Sequence, residues 1–204
     1  MKKVMIDLLR HGEVVGEKKL LGITDSPLSF SGWQRMSSHT QTNNPLWQKI
    51  ITSDLQRCRC FAEHLAEKHS SQLEITPQFR ELNFGDWDGE LLDDLYNGIS
   101  ANQLSQFIQS PSTITPPNGE TYAIFKKRVL TAWQQLMSEL MSGENEHYLL
   151  ITHGGVIKTI LADILGITEN HLLNIEVPYA CLSRVTYYQG CTPNLTFHNG
   201  QLKP

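Results

Sequence analysis

The sequence predicts an α/β protein in which a mostly parallel sheet is covered by helices on both faces. Strand-like apolar runs alternate along the chain with segments of helical periodicity, and this order typically produces parallel strands joined by crossover helices. Two of the apolar runs, residues 4–9 and 148–151, lie far apart in the sequence, yet a His-Gly pair follows each of them within two residues. No stretch resembles a linker, so we expect residues 1–204 to form one domain.

The first third of the chain is predicted to contain two strands and two helices. In order, we expect a strand at about residues 3–9, a polar loop at 13–29, a helix from 31 to about 42, a short strand at 49–52 and a helix ending near 69. Ser53 and Asp54 precede the second helix and have side chains that commonly cap helix N-termini. Leu55, Cys58 and Ala62 recur at helical spacing and predict its buried face.

The alternation continues through the rest of the chain. We expect a strand at 73–76, one or two short helices within 91–109, a loop with three prolines at 110–119, a long helix at 121–141, a strand at 147–151, a helix at 156–165 and late strands at 183–188 and 195–198. Phe125, Val129 and Leu136 give the long helix an apolar face. Gly166 follows the helix at 156–165 and is typical of a C-terminal cap.

Composition excludes several classes of protein. The formal net charge is −4, which does not favour general binding to nucleic acid or to a membrane surface. The first apolar run is too short and too charged for a signal peptide, and no uninterrupted apolar segment approaches the ~20 residues that span a bilayer. The four cysteines form no C-x-x-C pair. We therefore expect a cytoplasmic protein with reduced cysteines.

Basic and imidazole side chains follow the two runs that end in His-Gly. Arg10 and His11 come directly after the first strand, and His153 comes after the strand at 147–151. Ligand sites in α/β proteins form at the carboxyl ends of strands. A neutral imidazole can attack phosphorus, and a guanidinium group can bind two phosphate oxygens at once. This arrangement predicts phosphate chemistry.

Three further features complete the predicted site. Arg57 lies on the first turn of the helix that follows the strand at 49–52 and supplies a second guanidinium. Glu81 lies just after the third strand and can protonate a departing alkoxide, although Asp86 and Asp88 are close enough in sequence to compete for that role. Gly154 begins a helix whose free N–H groups attract an anion.

Four ordered motifs resemble those of the histidine phosphatase superfamily, the phosphoglycerate-mutase-like enzymes. They are Leu9-Arg10-His11-Gly12-Glu13, Ser53-x-Leu55-x-Arg57-Cys58, Glu81-Leu82-x-Phe84-Gly85-x-Trp87-x-Gly89 and Thr152-His153-Gly154-Gly155. The resemblance implies a three-layer α/β/α sandwich that works without a metal or other cofactor. It implies that His11 is the nucleophile and becomes phosphohistidine. Phosphoryl oxygens would be held by Arg10, Arg57 and a charged or donating His153, together with Gly154, while Glu81 exchanges a proton with the leaving group and then with water.

Secondary motifs resemble the α-ribazole phosphatase branch of this superfamily. They are Gly32-Trp33-Gln34-x-Met36, Leu55-Gln56-Arg57-Cys58-x-x-Phe61-Ala62-Glu63, Pro116-Pro117-x-Gly119-Glu120 and Val177-Pro178-Tyr179-Ala180. The resemblance implies hydrolysis of α-ribazole 5′-phosphate during assembly of the cobalamin nucleotide loop. A benzimidazole needs an apolar wall, for which Phe84 and Trp87 are candidates. We add Thr24 and Glu120 as candidate substrate contacts, with Glu120 equally suited to a favourable charge at the start of the long helix.

Alternatives to this function stay open at this point. They are another histidine phosphatase acting on sugar phosphates or nucleotides, a phosphoglycerate mutase, and a non-catalytic protein that binds a phosphate ligand. The loop at 14–19 departs from the family pattern, with Val14 where threonine is common, and we expect Glu17 to point away from the anion. We expect a small phosphomonoester as partner, no nucleic acid and no membrane, with a homodimer left open.

Overall fold

Strands and helices alternate along the chain as the sequence predicts. The computed structural model describes residues 2–41, 47–142, 146–200 and 202, without the side chains of Ser142 and Glu146. The strands are β1 (Lys3–Arg10), β2 (Lys49–Thr52), β3 (Gln72–Ile75), β4 (Glu146–Thr152), β5 (Leu182–Tyr188) and β6 (Asn194–Gly200). The α-helices are α1 (Phe30–His39), α2 (Gln56–His69), α3 (Leu92–Asn97), α4 (Ala101–Gln109), α5 (Tyr122–Ser142) and α6 (Gly154–Leu165), with short 3₁₀ turns at Pro77–Phe79, Gly85–Trp87 and Glu169–Asn174.

The six strands form one sheet in the order β3-β2-β4-β1-β5-β6. The four strands from β3 to β1 are parallel, while β5 runs antiparallel to both β1 and β6. This confirms the mostly parallel sheet. In the register, Arg10 at the end of β1 is opposite Thr152 at the end of β4, and Thr52 at the end of β2 is opposite Ile151. The residues that follow these three strands therefore emerge side by side at one edge of the sheet.

Helices cover both faces of the sheet, so the predicted three-layer sandwich is also confirmed. Because successive side chains of a strand point to opposite faces, β1 contributes to both cores. Ile6 and Leu8 pack in the cluster that contains the apolar faces of α5 and α6. Leu9 packs in a second cluster with Met36 of α1 and Phe61 of α2. Each such fully buried side chain contributes about 1.5–3 kcal/mol to folding.

The N-terminal cap of α2 differs from the sequence-based prediction. Neither Ser53 nor Asp54 caps this helix, which begins at Gln56. The backbone N–H of Gln56 instead donates to the carboxylate of Asp25 at 2.7 Å, and Asp54 forms an ion pair with Arg80. The cap comes from a loop residue 31 positions earlier in the chain, which a local pattern of residues does not reveal.

The first helix is shorter than predicted. Helix α1 ends at His39, and Thr40 closes it, since the hydroxyl of Thr40 donates to the carbonyl of Met36 at 3.0 Å. The predicted end near Thr42 lies outside the described residues.

None of the helices in the described part of the chain has the length and apolar character needed to cross a membrane.

Candidate active site

Two histidine rings meet at the edge where β1 and β4 end. The ring centroids of His11 and His153 are 5.2 Å apart, and the rings lie edge to face. His11 is 5% exposed and His153 is fully buried. Nδ1 of His11 lies 2.8 Å from the carbonyl oxygen of Gly12, and because a carbonyl only accepts, Nδ1 carries the proton. In the neutral ring, Nε2 of His11 therefore has a free lone pair.

Arg57 is fully buried and connects α2 to the histidine pair. Its guanidinium donates to the backbone carbonyls of Gly22 at 2.6 Å and Thr24 at 2.7 Å. Its Nε donates to Nδ1 of His153 at 3.3 Å, so the proton of a neutral His153 is on Nε2, which donates to the hydroxyl of Ser53 at 2.9 Å. His153 is thus a donor, as predicted, but it donates to Ser53.

Arg10 presents an unused donor beside His11. Its Nη1 donates to the carbonyl of Val177 at 2.6 Å, and its guanidinium carbon lies 4.2 Å from the centre of the Tyr179 ring. Its Nε is buried and has no hydrogen-bond partner among the residues that the structure describes. Leaving a buried donor unsatisfied costs about 1–3 kcal/mol, and more when the group is charged. This orphaned N–H is therefore suited to receive an anion.

Glu81 reaches the same edge from the loop after β3. Its carboxylate accepts from the backbone N–H of Gly155 at 2.9 Å and from that of Leu82 at 3.1 Å. A Cβ atom at position 155 would lie 2.3 Å from Oε1 of Glu81, so this close approach requires glycine. A Cβ atom at Gly154 would likewise come within 3.3 Å of Nε of Arg10. The first turn of α6 thus brings Glu81 and Arg10 together.

The competing carboxylates have other partners. Asp86 is exposed and accepts from the side-chain amide of Asn118 at 3.0 and 3.1 Å. Asp88 accepts from the backbone N–H groups of Ile23 at 2.8 Å and Thr24 at 3.0 Å. Of these three acids, Glu81 is the one placed beside Arg10.

Burial and positive charge keep both histidines neutral. Burial is the largest cause that lowers the pKa of His11 well below its ordinary value of 6.5, and the charges of Arg57 and Arg10 lower it further. Burial and then Arg57 also hold the pKa of His153 well below 6.5. Of the two states expected for His153, charged or donating, the unliganded protein therefore has the neutral, donating one. A neutral His11 has the protonation state that a nucleophile requires.

The low pKa values predict that the protein loses stability in mild acid. Below pH 6.5 each of the two rings takes up a proton in the unfolded chain but not in the folded protein. The unfolded state then binds more protons, so the free energy of unfolding falls as the pH decreases from about 7 to about 5. Urea unfolding across this range measures the slope. His11→Gln, which removes one of the two rings, is expected to make the slope shallower, whereas His64→Gln at an exposed position leaves it unchanged. A slope unaffected by His11→Gln would contradict the assignment.

A cavity of about 430 Å³ opens over this cluster. Arg10, Glu81 and the two glycines 154–155 form the part of its wall that belongs to the site described above. His11, Arg57 and His153 are buried and do not line the open space. Most of the remaining wall is apolar and is formed by Leu82, Phe84, Phe107, Tyr122, Phe125 and Leu172. The arrangement suits an anion held beside Arg10 and bonded to a group with an apolar face.

The candidate substrate contacts divide into two groups. Phe84 lines the cavity. Trp87 is 2% exposed, packs against Phe107 and does not line it. Thr24 and Glu120 are not among the residues that line the cavity. The backbone carbonyl of Thr24 accepts from Arg57, and the carboxylate of Glu120 accepts from Arg128.

Sequence reasoning missed three residues at this edge. Ser53 accepts from His153, the ring of Tyr179 lies 5.6 Å from that of His11, and Lys158 lines the cavity. The signal for Lys158 was available, because it lies four positions after Gly154 and so on the same side of a helix that begins there.

In the loop at 14–19, Glu17 is exposed to solvent. The described residues contain no group of three or more His, Cys, Asp or Glu side chains that could hold a metal ion.

The sequence is similar to those of known proteins. The sequence model of the histidine phosphatase superfamily (branch 1) matches residues 6–199. The adenosylcobalamin/α-ribazole phosphatase of Salmonella typhimurium is 26% identical over 187 residues, covering 90% of each chain. A protein of Escherichia fergusonii named "Probable phosphoglycerate mutase GpmB" is 29% identical over 189 residues, covering 91% of this chain and 86% of that one.

The fold is also similar to solved structures. The α-ribazole phosphatase from Shigella flexneri superposes with a TM-score of 0.83 at 23% identity, covering 96% of each chain. At that identity the likeness supports the fold alone. The family match extends over nearly the whole sequence and includes all four motifs and the residues gathered at the edge of the sheet. The chain therefore belongs to the histidine phosphatase superfamily, branch 1.

Proposed function

We propose that the protein is a phosphomonoesterase that works through a phosphohistidine on His11 and hydrolyses α-ribazole 5′-phosphate. The observation that carries the proposal is a pair of unsatisfied groups on consecutive residues at the end of β1. Nε2 of the buried, neutral His11 has a free lone pair, and the buried Nε of the neighbouring Arg10 has no acceptor among the described residues. A phosphoryl group satisfies both, since its phosphorus accepts the lone pair and its oxygen accepts the N–H.

In the first step, the lone pair on Nε2 of His11 forms a bond to phosphorus while the bond from phosphorus to the ester oxygen breaks. Protonated Glu81 gives its proton to that oxygen, so the leaving group departs as an alcohol. Arg10 and Arg57 hold the phosphoryl oxygens. Arg57 has five N–H donors and uses three on Gly22, Thr24 and His153, which leaves two for phosphate.

In the second step, water attacks the phosphorus of phosphohistidine and the bond to Nε2 breaks. The Glu81 carboxylate accepts a proton from that water, which restores the acid for the next cycle. The Nδ1–H of His11 keeps its hydrogen bond to the carbonyl of Gly12 throughout, so the same ring nitrogen faces phosphorus in both steps. Donors that are already aligned with the developing charge supply the largest catalytic contribution in such sites.

The cavity supports a leaving group with a flat apolar part. Its volume of about 430 Å³ lies within the usual range for small-molecule sites, and Phe84, Phe107 and Phe125 line it. A benzimidazole attached to ribose presents such an apolar face. The 26% identity to a protein named as an α-ribazole phosphatase supports the same substrate.

Mutase chemistry is the second candidate, because another relative is named as a phosphoglycerate mutase. A phosphoglycerate carries a carboxylate in addition to its phosphate, and a site for it needs positive charge beyond the phosphoryl position. Two cations, Arg10 and Lys158, line the cavity wall, and the proposal assigns Arg10 to the phosphoryl group. Lys158 is matched by the acid Glu176, so these described residues leave no excess positive charge for a carboxylate, which favours hydrolysis of an ester with an uncharged leaving group.

Phosphate release from a panel of monoesters tests the proposal. We expect kcat/KM for α-ribazole 5′-phosphate to exceed that for ribose 5′-phosphate by at least about 10-fold, because a single methylene group in an apolar pocket already contributes about 10–200-fold. The panel includes nucleotides and 3-phosphoglycerate, the latter also assayed for isomer exchange with a bisphosphorylated glycerate present. Equal rates on ribose 5′-phosphate would contradict the substrate, exchange without hydrolysis would establish a mutase, and phosphate binding without any release would establish a binding protein.

A further inference from the structure

An arginine on α5 holds the backbone segment that carries Glu81. The guanidinium of Arg128 donates to the carbonyl of Gln78 at 2.8 Å, that of Arg80 at 3.0 Å and that of Glu81 itself at 3.4 Å. Residues 80–84 have neither helical nor strand structure, so no regular ladder of backbone hydrogen bonds fixes them. The direction in which Glu81 points therefore depends on contacts of this kind.

Glu120 holds Arg128 in place and also contacts the far side of the same segment. Its two carboxylate oxygens accept from Nε of Arg128 at 3.1 Å and Nη2 at 2.8 Å. Its backbone N–H donates to the carbonyl of Asn83 at 2.8 Å, and its carboxylate lies 3.4 Å from the N–H of Asn83. The side chains of Arg128 and Glu120 are 21% and 13% exposed, so water screens the pair only in part. Together they fix the segment on both sides of Glu81.

We propose that Arg128, held by Glu120, is a positioning residue that aligns Glu81 with the leaving-group oxygen. The proposal rests on the proposed function, in which Glu81 protonates the departing alkoxide. Arg128 does not line the cavity of about 430 Å³ in which the proposed function places the leaving group. It acts by fixing the backbone on which the acid is carried, and a displacement of about 1 Å of a reacting group costs on the order of 10²-fold in rate.

This role predicts a specific dependence on the leaving group. An alkoxide such as that of ribose leaves poorly unless it is protonated, whereas p-nitrophenolate leaves without a proton. Arg128→Met is expected to reduce kcat/KM for an alkyl phosphomonoester by about 10–100-fold. The same variant is expected to change kcat/KM for p-nitrophenyl phosphate by less than about threefold, because the phosphoryl-binding groups are untouched. A merely structural role for Arg128 would slow both substrates equally.

Matched variants distinguish the effect of the charge of Arg128 from the effect of its hydrogen-bonding geometry. The charge of Arg128 also contributes to lowering the pKa of His153. Arg128→Lys keeps that charge, but an ammonium group cannot span three carbonyls and a carboxylate, so we expect it to show the same leaving-group dependence as Arg128→Met. Lys127→Met removes an exposed charge from the adjacent position of α5 and is expected to leave both substrates unaffected. Full recovery in Arg128→Lys would show that charge, and not positioning, is responsible.

A double-mutant cycle completes the test. Glu81→Gln alone is expected to show the same preference for p-nitrophenyl phosphate, and adding Arg128→Met to it is expected to change the alkyl rate by less than about threefold. If the double variant instead lost the product of the two single-variant losses on the alkyl ester, the inference would be overturned. If Arg128→Met does not fold, Glu120→Gln replaces it and carries the same expectation. A wild-type protein that releases phosphate from neither ester contradicts the proposed function, whereas an active wild type with a uniform loss in the variants contradicts only the role of Arg128.

Discussion

Replacement of His11 by alanine is expected to abolish phosphomonoesterase turnover while the protein stays folded. The imidazole provides the lone pair that forms the covalent intermediate, and no other described side chain places a neutral nitrogen beside Arg10 except His153, whose two nitrogens already bind Arg57 and Ser53. Loss of the nucleophile from a hydrolase costs on the order of 10⁶ in kcat. The ring has one hydrogen bond, to the neighbouring Gly12, so we expect a stability change of about 1 kcal/mol.

The measurement combines steady-state hydrolysis with trapping of the intermediate. Wild-type protein quenched during turnover of a ³²P-labelled ester is expected to carry acid-labile, base-stable label, and His11→Ala is expected to carry none. His64→Ala removes an exposed imidazole and serves as the matched control, with label and rate unchanged. His11→Ala is also expected to retain affinity for inorganic phosphate through Arg10 and Arg57. Label that persists in His11→Ala would place the nucleophile elsewhere.

His11 could be predicted as a site residue from the local sequence and from the rule that ligand sites in α/β proteins form at the carboxyl ends of strands. A short apolar run that ends in Arg-His-Gly predicts a strand followed by a site, and a second run ending in His-Gly predicts another. What the sequence could not provide is the strand order. That β4 pairs directly with β1, and so brings His153 to 5.2 Å from His11, depends on chain crossovers over more than a hundred residues.

Short sequence patterns could not predict the role of residues whose partners lie far away along the chain. Asp7 is only an interruption of an apolar run in the sequence, yet it is fully buried and accepts from Trp47, His147 and Arg184. Burial alone would raise the pKa of Asp7, but the hydrogen bonds and charges of His147 and Arg184 lower it instead. The partners lie 40, 140 and 177 positions away, so no periodicity or short motif connects them.

Proximity in sequence to Glu81 was also a poor guide to which side chains line the cavity. Phe84 and Trp87 are three positions apart, but Phe84 lines the cavity and Trp87 is buried in the core. Phe84 comes just before the 3₁₀ turn at Gly85–Trp87, whereas Trp87 is its last residue, so the two side chains point in different directions. Irregular backbone of this kind has no fixed period, so alternation and helical spacing do not predict its orientation.

Replacement of Arg57 by methionine is expected to reduce kcat/KM by at least 10²–10³-fold, the usual cost of losing a donor aligned with developing charge. Arg57→Lys is expected to be nearly as slow, because a lysine cannot bind Gly22, Thr24 and His153 and still offer two donors to phosphate. Arg59→Met, on the same helix, removes a half-exposed arginine that pairs with Glu63 at 3.7 Å, and is expected to leave the rate unchanged.

The two Arg57 variants are expected to differ in their response to pH, and this difference identifies what the buried charge does. The charge of Arg57 helps to hold the pKa of His11 below 6.5, and activity is lost as the pH falls through that pKa because a protonated ring cannot attack phosphorus. In Arg57→Met the pKa rises towards 6.5, so the variant loses activity at a higher pH than wild type. In Arg57→Lys the charge remains, so activity is lost at nearly the same acidic pH as in the wild-type protein.

Dividing the kcat/KM of each variant by that of wild type at the same pH cancels the ionisation of the substrate itself. Between about pH 5 and 8 the ratio for Arg57→Met is expected to fall towards acid, while the ratio for Arg57→Lys is expected to be flat. Flat ratios for both variants would mean that Arg57 acts on phosphate through geometry alone. A fall in both would mean that the three buried hydrogen bonds of the guanidinium, and not its charge, keep His11 neutral.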